Sequence, residues 1–424
     1  MEKPAKSKIV ILGAGFAGVR VALDLAKSAP ELEIILINKN AYHEFHPDFY
    51  EIAAASLPES QRKQVPRLTY ESLKGSVAIP LAEIFGNTNM KIVINSVVSL
   101  DFKSQEVVLR GMKRLSYDFL VLALGSETNY FNIPDLKQFS LPLKSVDDAL
   151  NIRNEIDEIF ARKKEKEKIN IIVGGGGFTG CELAGELVGF LRTLSKIHAH
   201  KQHEVRLSVV EASPVLINGA STSVQQAAEK RLRSLGVEIY LNSKITNVSK
   251  STLFTDPHLV LPFDLLIWTA GVRSNSLVDR LAGVHTEKTC LIVDKSLRII
   301  PLKNVFAVGD LAYCFDEENS TQVAATAQTA IDQAKYTAKN IDHLIKNEPL
   351  ILYKPKKPKF IIPLGGKFAV GEIAGLVLEG IEAWWLKRAA ALGYFASVLP
   401  TTKAFQLWSA GNKFFVSNDY EDVQ

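Results

Sequence analysis

A strand that runs into a glycine-dense turn and then straight into a helix occurs twice in this chain, and few folds accommodate that arrangement. Residues 9–12, Ile-Val-Ile-Leu, form a short, wholly apolar run suited to a parallel strand buried on both faces. The turn Gly13-Ala-Gly-Phe-Ala-Gly18 follows. Residues 19–26 then read as a helix that stops before Pro30, and residues 33–38 as a second apolar strand. The unit recurs as a strand over 168–173, a turn over 174–180, a helix over 181–194 and a strand over 205–210. Two copies about 160 residues apart predict an α/β fold with two Rossmann-like dinucleotide-binding domains rather than a short-period array.

The spacing G-x-G-x-x-G has a physical purpose. The first glycine makes the tight turn, the second admits backbone N–H groups to a pyrophosphate, and the third lets helix and strand pack closely. The phosphates then sit at the positive end of the helix. Gly13, Gly15 and Gly18 form one set and Gly175, Gly177 and Gly180 the other, each between a strand and a helix, the context that gives the motif its meaning. The residue closing the second strand of each unit is placed to meet an adenosine ribose. It is Asn38 in the first copy, where a carboxylate is usual, and Glu211 in the second. A carboxylate there accepts from a free 2′-hydroxyl and repels a 2′-phosphate, which favours NADH over NADPH. Between Gly180 and Glu211 the chain is longer than the usual spacing, consistent with a longer helix and loop over 190–204. That loop holds His198, His200 and His203; without Cys or carboxylate at ligand spacing it reads as a solvated polar loop rather than a metal site.

Composition narrows the alternatives. In 424 residues, 47% hydrophobic and 23% charged, a globular chain of two or three domains is expected. Fifty Lys and Arg against 46 Asp and Glu leave +4, too balanced for a dedicated nucleic-acid binder. The three cysteines, Cys181, Cys290 and Cys314, are too widely spaced for a disulfide framework, a structural zinc site or a dithiol centre. The first residues lack a signal-peptide core, so export is not expected, and no charge-free apolar window of about eighteen residues predicts a spanning helix.

Two nucleotide turns in one chain invite electron transfer between a flavin and a pyridine nucleotide. The second copy, Val173-Gly-Gly-Gly-Gly-Phe-Thr-Gly-Cys-Glu-Leu-Ala-Gly-Glu-Leu187, resembles the NADH-binding motif of the type II NADH:quinone oxidoreductases, or alternative NADH dehydrogenases. Further matches lie at 118–126, 267–272 and 305–310. Ala327-Gln-Thr-Ala-Ile-Asp-Gln333 is similar to the family's quinone-side AQxAxQ segment, and 363–371 to the start of its C-terminal region. The resemblance spans essentially the whole chain. It implies non-covalent FAD in a discontinuous domain of residues 1–125 and 285–347, NADH in a domain of 126–284, and a membrane-surface or dimer region over 348–424. The activity it implies is transfer of two electrons from NADH through FAD to a membrane quinone, without proton pumping and without a metal.

Carried over to this sequence, Gly13, Gly15, Phe16, Ala17 and Gly18 would hold the FAD pyrophosphate, Asn38 and Lys39 its adenosine ribose. Gly125, Gly309, Asp310 and Ala327 would meet the rest of the flavin, Asp310 at its ribityl or phosphate end. Gly175, Gly177, Phe178, Thr179, Gly180, Glu211 and Gly271 would hold NADH, with Glu182 near nicotinamide and flavin. Gln328 would line the quinone pocket, and Lys367 would stabilise negative charge on reduced flavin or quinone. The second glutamine of AQxAxQ is replaced by Asp332. Gln333, rotated roughly 100° around a helix, does not simply substitute for it.

The C-terminal region has a different texture. Trp384, Trp385 and Trp408 fall there, and residues 351–416 carry nine basic and three acidic residues. Residues 379–395 mix an apolar helix with aromatic and cationic anchors, as in a basic amphipathic helix lying in a lipid–water interface. Peripheral attachment to the cytoplasmic face of a membrane is expected, with a homodimer interface as the other use of that region. A sulfide:quinone oxidoreductase would need a cysteine pair beside the flavin. A reductase for a soluble protein acceptor would not need this tail, and a nucleotide-sensing interaction protein would bind flavin without turnover.

Overall fold

The computed structural model describes residues 7–56, 71–164, 166–200, 204–316, 318, 320–357, 359–373 and 375–415. The elements that position the site are β1 (Lys8–Leu12), α1 (Phe16–Ser28), β2 (Glu33–Asn38), α2 (Phe49–Ala53), β3 (Lys91–Ile94) and β4 (Phe119–Leu122). Then come α3 (Val146–Arg162), β5 (Ile169–Gly174), α4 (Phe178–Ile197), β6 (Val205–Val210), α5 (Thr222–Ser234), β7 (Glu238–Tyr240) and β8 (Leu265–Trp268). The last are β9 (Val305–Ala307), α6 (Ala327–Lys346), β10 (Phe360–Pro363), β11 (Ala369–Ile373), β12 (Leu376–Gly380), α7 (Ile381–Val398) and α8 (Thr401–Phe415).

These residues fall into two compact units. One lies within Met1–His43, Ile79–Glu127 and Val272–Pro358, the other within Glu44–Ala78, Thr128–Gly271 and Lys359–Gln424. The first is built on a five-stranded sheet in the order β9-β4-β1-β2-β3, every neighbouring pair parallel. Val10 and Leu12 of β1, Ile35 and Ile37 of β2, Leu120 and Leu122 of β4 and Val305 of β9 share one core, buried almost completely. Parallel strands covered on both faces need apolar side chains in unbroken runs, and these strands supply them. The second unit repeats the plan, with Leu141–Pro142, β8, β5, β6 and β7 side by side and parallel.

The division of the chain differs from the expected domain limits in where several segments sit. Residues 44–56 belong to the second unit, because α2 buries every side chain it has, packing against α3 and α4. A five-residue helix carries no periodicity that a sequence could reveal. Residues 272–284 belong to the first unit. The C-terminal residues do not stand apart: β10, β11 and β12 form an antiparallel meander against α4 and α5, and α7 packs on that meander and on α8. α4 approaches the turn after β10 so closely that a Cβ on Gly185 would lie 2.6 Å from the Gly365 nitrogen.

The C-terminal helix is also not the amphipathic helix expected. Trp384, Arg388, Ala391, Phe395 and Val398 of α7 are buried, yet its opposite side exposes Ile381, Trp385 and Leu386. Apolar side chains are spread around the helix rather than gathered on one face, with Trp384 a core residue against Ala369 and Ala383. Among the described residues no helix is long and apolar enough to cross a membrane. Trp384 is 5% exposed and Trp385 53%. Trp384→Ala is therefore expected to cost about 3–5 kcal/mol in urea unfolding, and Trp385→Ala less than about 0.5 kcal/mol. Equal losses from the two variants would contradict this packing.

Candidate functional site

Each glycine turn is built the same way. Gly13 and Gly175 have φ of +97° and +113°, which side chains other than glycine rarely adopt. A Cβ on Gly18 would lie 1.8 Å from the Gly13 carbonyl oxygen, and one on Gly180 1.9 Å from that of Gly175. The second glycines differ. A Cβ on Gly15 or Gly177 would meet nothing within 4 Å. The backbone there faces open space, and both residues cap their helices without any side-chain hydrogen bond. Neither α1 nor α4 carries an acid in its first turn, so the uncapped N–H groups and the positive helix end are offered to an anion.

The middle residue of each turn is pinned at both ends of its peptide. Ala14 donates its N–H to Asn38 Oδ1 at 3.0 Å, and its carbonyl accepts from His43 Nδ1 at 2.8 Å. Gly176 donates to Glu211 Oε2 at 2.6 Å, and its carbonyl accepts from the Ile217 N–H at 2.7 Å and from Cys181 Sγ at 3.3 Å. Asn38 and Glu211, expected to face a ribose, thus first hold the turn itself. Asn38 Nδ2 donates to the Asn40 carbonyl at 2.8 Å, and Glu211 Oε1 accepts from the Ser213 N–H at 2.7 Å. His43 is fully buried with its ring edge-on to Phe16; burial lowers its pKa to about 4, against the opposing pull of its bond to Ala14. The imidazole is therefore neutral, and its Nδ1–H is the donor. Nothing in the sequence distinguished this histidine.

Four more expected residues of the first unit, Gly125, Gly309, Asp310 and Ala327, converge on the same end of its sheet. Gly309 follows β9 and has φ of +67°. A Cβ there would lie 3.4 Å from Ala330 Cβ and 3.8 Å from Ala17 Cβ, so the Gly309–Asp310 pair sits beside the first turns of both α6 and α1. The Asp310 carboxylate accepts from the Ser126 hydroxyl, and Gly125 has φ of +69° with open space where a Cβ would be. Ala327 opens α6 behind Thr326, whose side chain caps the helix. Gln328 is exposed in the first turn of α6, and Lys39 is exposed after β2. Gln333 is buried and accepts the Gly309 N–H at 2.7 Å, while Asp332 pairs with Lys356 at 3.0 Å. Gln333 therefore holds the Gly-Asp turn, a contact that sequence spacing does not display.

In the second unit, Phe178 and Thr179 are exposed at the start of α4, and Gly271 lies under the Phe131 ring, 2.6 Å from where its Cβ would be. Glu182 lies one turn into α4. Lys387 of α7 stands 3.6 Å from its Oε1, both side chains largely buried. Burial raises the Glu182 pKa to about 7; Lys387 opposes the shift and Asp48 adds to it. The cation beside Glu182 is thus Lys387, which sequence reasoning missed. Lys367 is exposed in the turn between β10 and β11. Tyr50 lies beneath Lys387, its ring centroid 5.8 Å from Nζ.

The histidine loop departs from the solvated reading. α4 ends at Ile197, and the chain turns back through Ala199, at φ +56°, to bury His200 edge-on to Phe160 and 3.7 Å from Glu204. His203 lies outside the described residues. Cys181, Cys290 and Cys314 are free thiols; burial raises the pKa of Cys181, and that of Cys314 to about 11, so neither is a ready thiolate.

The chain matches the pyridine nucleotide-disulphide oxidoreductase family over residues 7–334. It is 27% identical to the type II NADH:quinone oxidoreductase of Staphylococcus saprophyticus, over 96% of this chain and 98% of that one. It is 28% identical to the demethylphylloquinone reductase NdbB of Synechocystis, over 92% and 93%. Among solved structures it is similar to NDH2 of Plasmodium falciparum in complex with NADH, with a TM-score of 0.82 at 18% identity, covering 96% and 98%.

The turn geometry has a direct consequence. Gly15→Ala and Gly177→Ala are expected to fold with unchanged melting temperature and to lose dinucleotide affinity, about tenfold or more by equilibrium dialysis. Gly18→Val and Gly180→Val, whose side chains collide with a backbone carbonyl, are expected to fail to fold. A Gly15→Ala protein that retained full dinucleotide affinity would show that the open side of the turn is not the binding side.

Proposed function

The chain belongs to the pyridine nucleotide-disulphide oxidoreductase family, and from that premise we propose that it is a type II NADH:quinone oxidoreductase, an FAD-dependent enzyme that does not pump protons. One observation carries the reading: the same pinned glycine turn is built twice, with a neutral Asn38 behind the first and an acidic Glu211 behind the second. The second suits a nucleotide with a free 2′-hydroxyl, NADH rather than NADPH; in the first, the Asn38 amide oxygen stands in for the carboxylate usual beside the adenosine ribose of FAD.

The residues of the first turn fit FAD. The open face at Gly15, the uncapped start of α1 and the Gly-Asp turn beside it are a cradle that a Cβ would fill. Gly13, Gly15, Phe16, Ala17 and Gly18 would hold the pyrophosphate, Asn38 and Lys39 would border the adenosine ribose, and Asp310, oriented by Ser126, would take the ribityl or phosphate end. Gly125, Gly309 and Ala327 would line the approach. When bound, FAD supplies the redox chemistry, taking a hydride from NADH and passing two electrons to a quinone.

The chain's own residues supply binding, orientation and protons. Gly175, Gly177, Phe178, Thr179 and Gly180 would hold the NADH pyrophosphate, Gly271 would leave room for the dinucleotide, and Glu211 would meet its ribose. Glu182, with a pKa about 7, is poised to give up or accept a proton near neutral pH. Lys387 restrains that tendency to hold a proton and is the cation that answers negative charge there. Gln328 would line the quinone pocket, with Lys367 an outlying cation; Asp332, occupied by Lys356, would leave the quinone head group without a second glutamine. A quinone is lipid-borne, and the exposed Ile381, Trp385, Leu386 and Phe405 give the C-terminal helices an apolar surface beside basic residues. This supports peripheral attachment at the cytoplasmic face, where NADH is available. A homodimer contact is the competing use of that surface.

A single anaerobic titration tests the enzyme reading. NADH is expected to bleach the bound flavin with one equivalent, and a soluble quinone analogue then to restore the colour. Flavin that NADH cannot bleach would refute the activity. In the same titration Glu211→Gln is expected to bring NADPH at least about tenfold closer to NADH in affinity; an unchanged preference would remove Glu211 from cofactor selection.

A further inference from the structure

In the first unit, the basic segment that follows α6 is strapped back along that helix. Pro355 fixes its own φ and disfavours helix at Lys354, so the chain stays extended there. The Ile351 N–H donates to Asn340 Oδ1 at 2.8 Å, and Asn340 Nδ2 donates back to the Ile351 carbonyl at 2.9 Å. Tyr353 sets its ring edge-on to Tyr336, with 5.2 Å between centroids, and its N–H donates to the Lys295 carbonyl at 2.7 Å. Lys356 Nζ then reaches Asp332 Oδ1 at 3.0 Å. Taken in order, these contacts meet α6 at Asn340, Tyr336 and Asp332. Steps of four residues follow one face of a helix, here toward its N-terminus. The next residue on that face is Gln328.

A lone carboxylate at 332 would be a poor neighbour for a quinone. Quinone oxygens gain negative charge as electrons arrive, and a carboxylate opposes that charge while offering no N–H. The Asp332 side chain is 17% exposed, and its Oδ2 finds no hydrogen-bond partner among the described residues. Lys356 is its ion-pair partner there. An ammonium carries three N–H donors. One goes to Asp332; the other two meet no acceptor among the described residues, and the Lys356 side chain is 75% exposed. The pair cancels the charge of Asp332 and still leaves N–H donors to spare. It does so one helical turn, roughly 6 Å along the axis, from Gln328.

Resting on the reading that Gln328 lines the quinone pocket, we infer that Lys356 is the second hydrogen-bond donor to the quinone head group, seated there by Asp332. The ammonium donates to a quinone oxygen, and that bond strengthens as the oxygen takes up charge. The lysine keeps its proton throughout; it contributes a hydrogen bond and a positive charge. Asp332 does not touch the quinone. It is a positioning residue that holds Lys356 on the Gln328 face of α6. A glutamine at 332 would offer a neutral donor from the helix itself, whereas this chain takes a charged one from a segment 24 residues further on.

The test uses the full-length holoenzyme in anaerobic stopped flow, without lipid, so that no contact of the lysine with a membrane enters the readout. Flavin bleaching by NADH and reoxidation of the bleached flavin by a soluble quinone analogue are followed separately. Lys356→Met is expected to leave bleaching unchanged, which also reports a folded, loaded protein. The quinone concentration for half-maximal reoxidation is expected to rise about tenfold. Adding Asp332→Gln to Lys356→Met is expected to bring that concentration back to within about threefold of wild type, because an uncharged amide then supplies the donor. A purely structural ion pair predicts otherwise: the double variant also lacks the pair and would do no better than Lys356→Met. No rise in Lys356→Met, or no recovery in the double variant, overturns the inference. Gln328→Ala separates it from the reading beneath it. Reoxidation weakened by Gln328→Ala but not by Lys356→Met refutes the lysine alone. Reoxidation unmoved by Gln328→Ala refutes the quinone reading of this helix face.

Discussion

A carbonyl oxygen 1.8 Å from where a side chain would begin is the constraint on which the first unit depends, and its counterpart at 1.9 Å governs the second. The third glycine of each turn exists so that the helix can start against the turn that precedes it. The acceptor closing the second strand then pins the middle residue by its N–H, Asn38 in one unit and Glu211 in the other. With that peptide pinned, the second glycine is left facing outward. Binding capacity in both units is thus a by-product of how tightly the rest of the turn is held.

The two copies share this construction but differ in charge. A neutral amide tolerates whatever lies beyond it, whereas a carboxylate favours hydroxyl and opposes phosphate. The two turns thus share one scaffold and differ in the charge of the side chain that closes the second strand. The supports behind the turns differ as well, a neutral buried His43 in the first and a buried Cys181 thiol in the second. Burial keeps both groups uncharged, and each donates to a backbone carbonyl.

The acid of the second unit follows a different logic. Glu182 lies one turn into a helix where its charge is favoured by the dipole, yet burial outweighs that and raises its pKa to about 7. The charged groups that act on it come from far along the chain: Asp48, at the start of α2, adds to the rise, and Lys387 of α7 opposes it. A proton-handling group near neutrality is thus made by packing rather than by any local motif.

The glycine turns, the strand ends and the parallel sheets were legible from the sequence because each depends on residues adjacent in the chain, within one strand-turn-helix unit. The Gly-Asp turn after β9 was legible for the same reason. Nothing local in the sequence named Gly365 as the close neighbour of Gly185 in mid-helix. Tertiary structure alone placed α2 in the second unit, paired Lys387 with Glu182, gave Gln333 to Gly309, turned Trp384 inward and buried His200. Each of those outcomes depends on contacts between segments distant in sequence, where burial and charge are set by neighbours that no local pattern encodes.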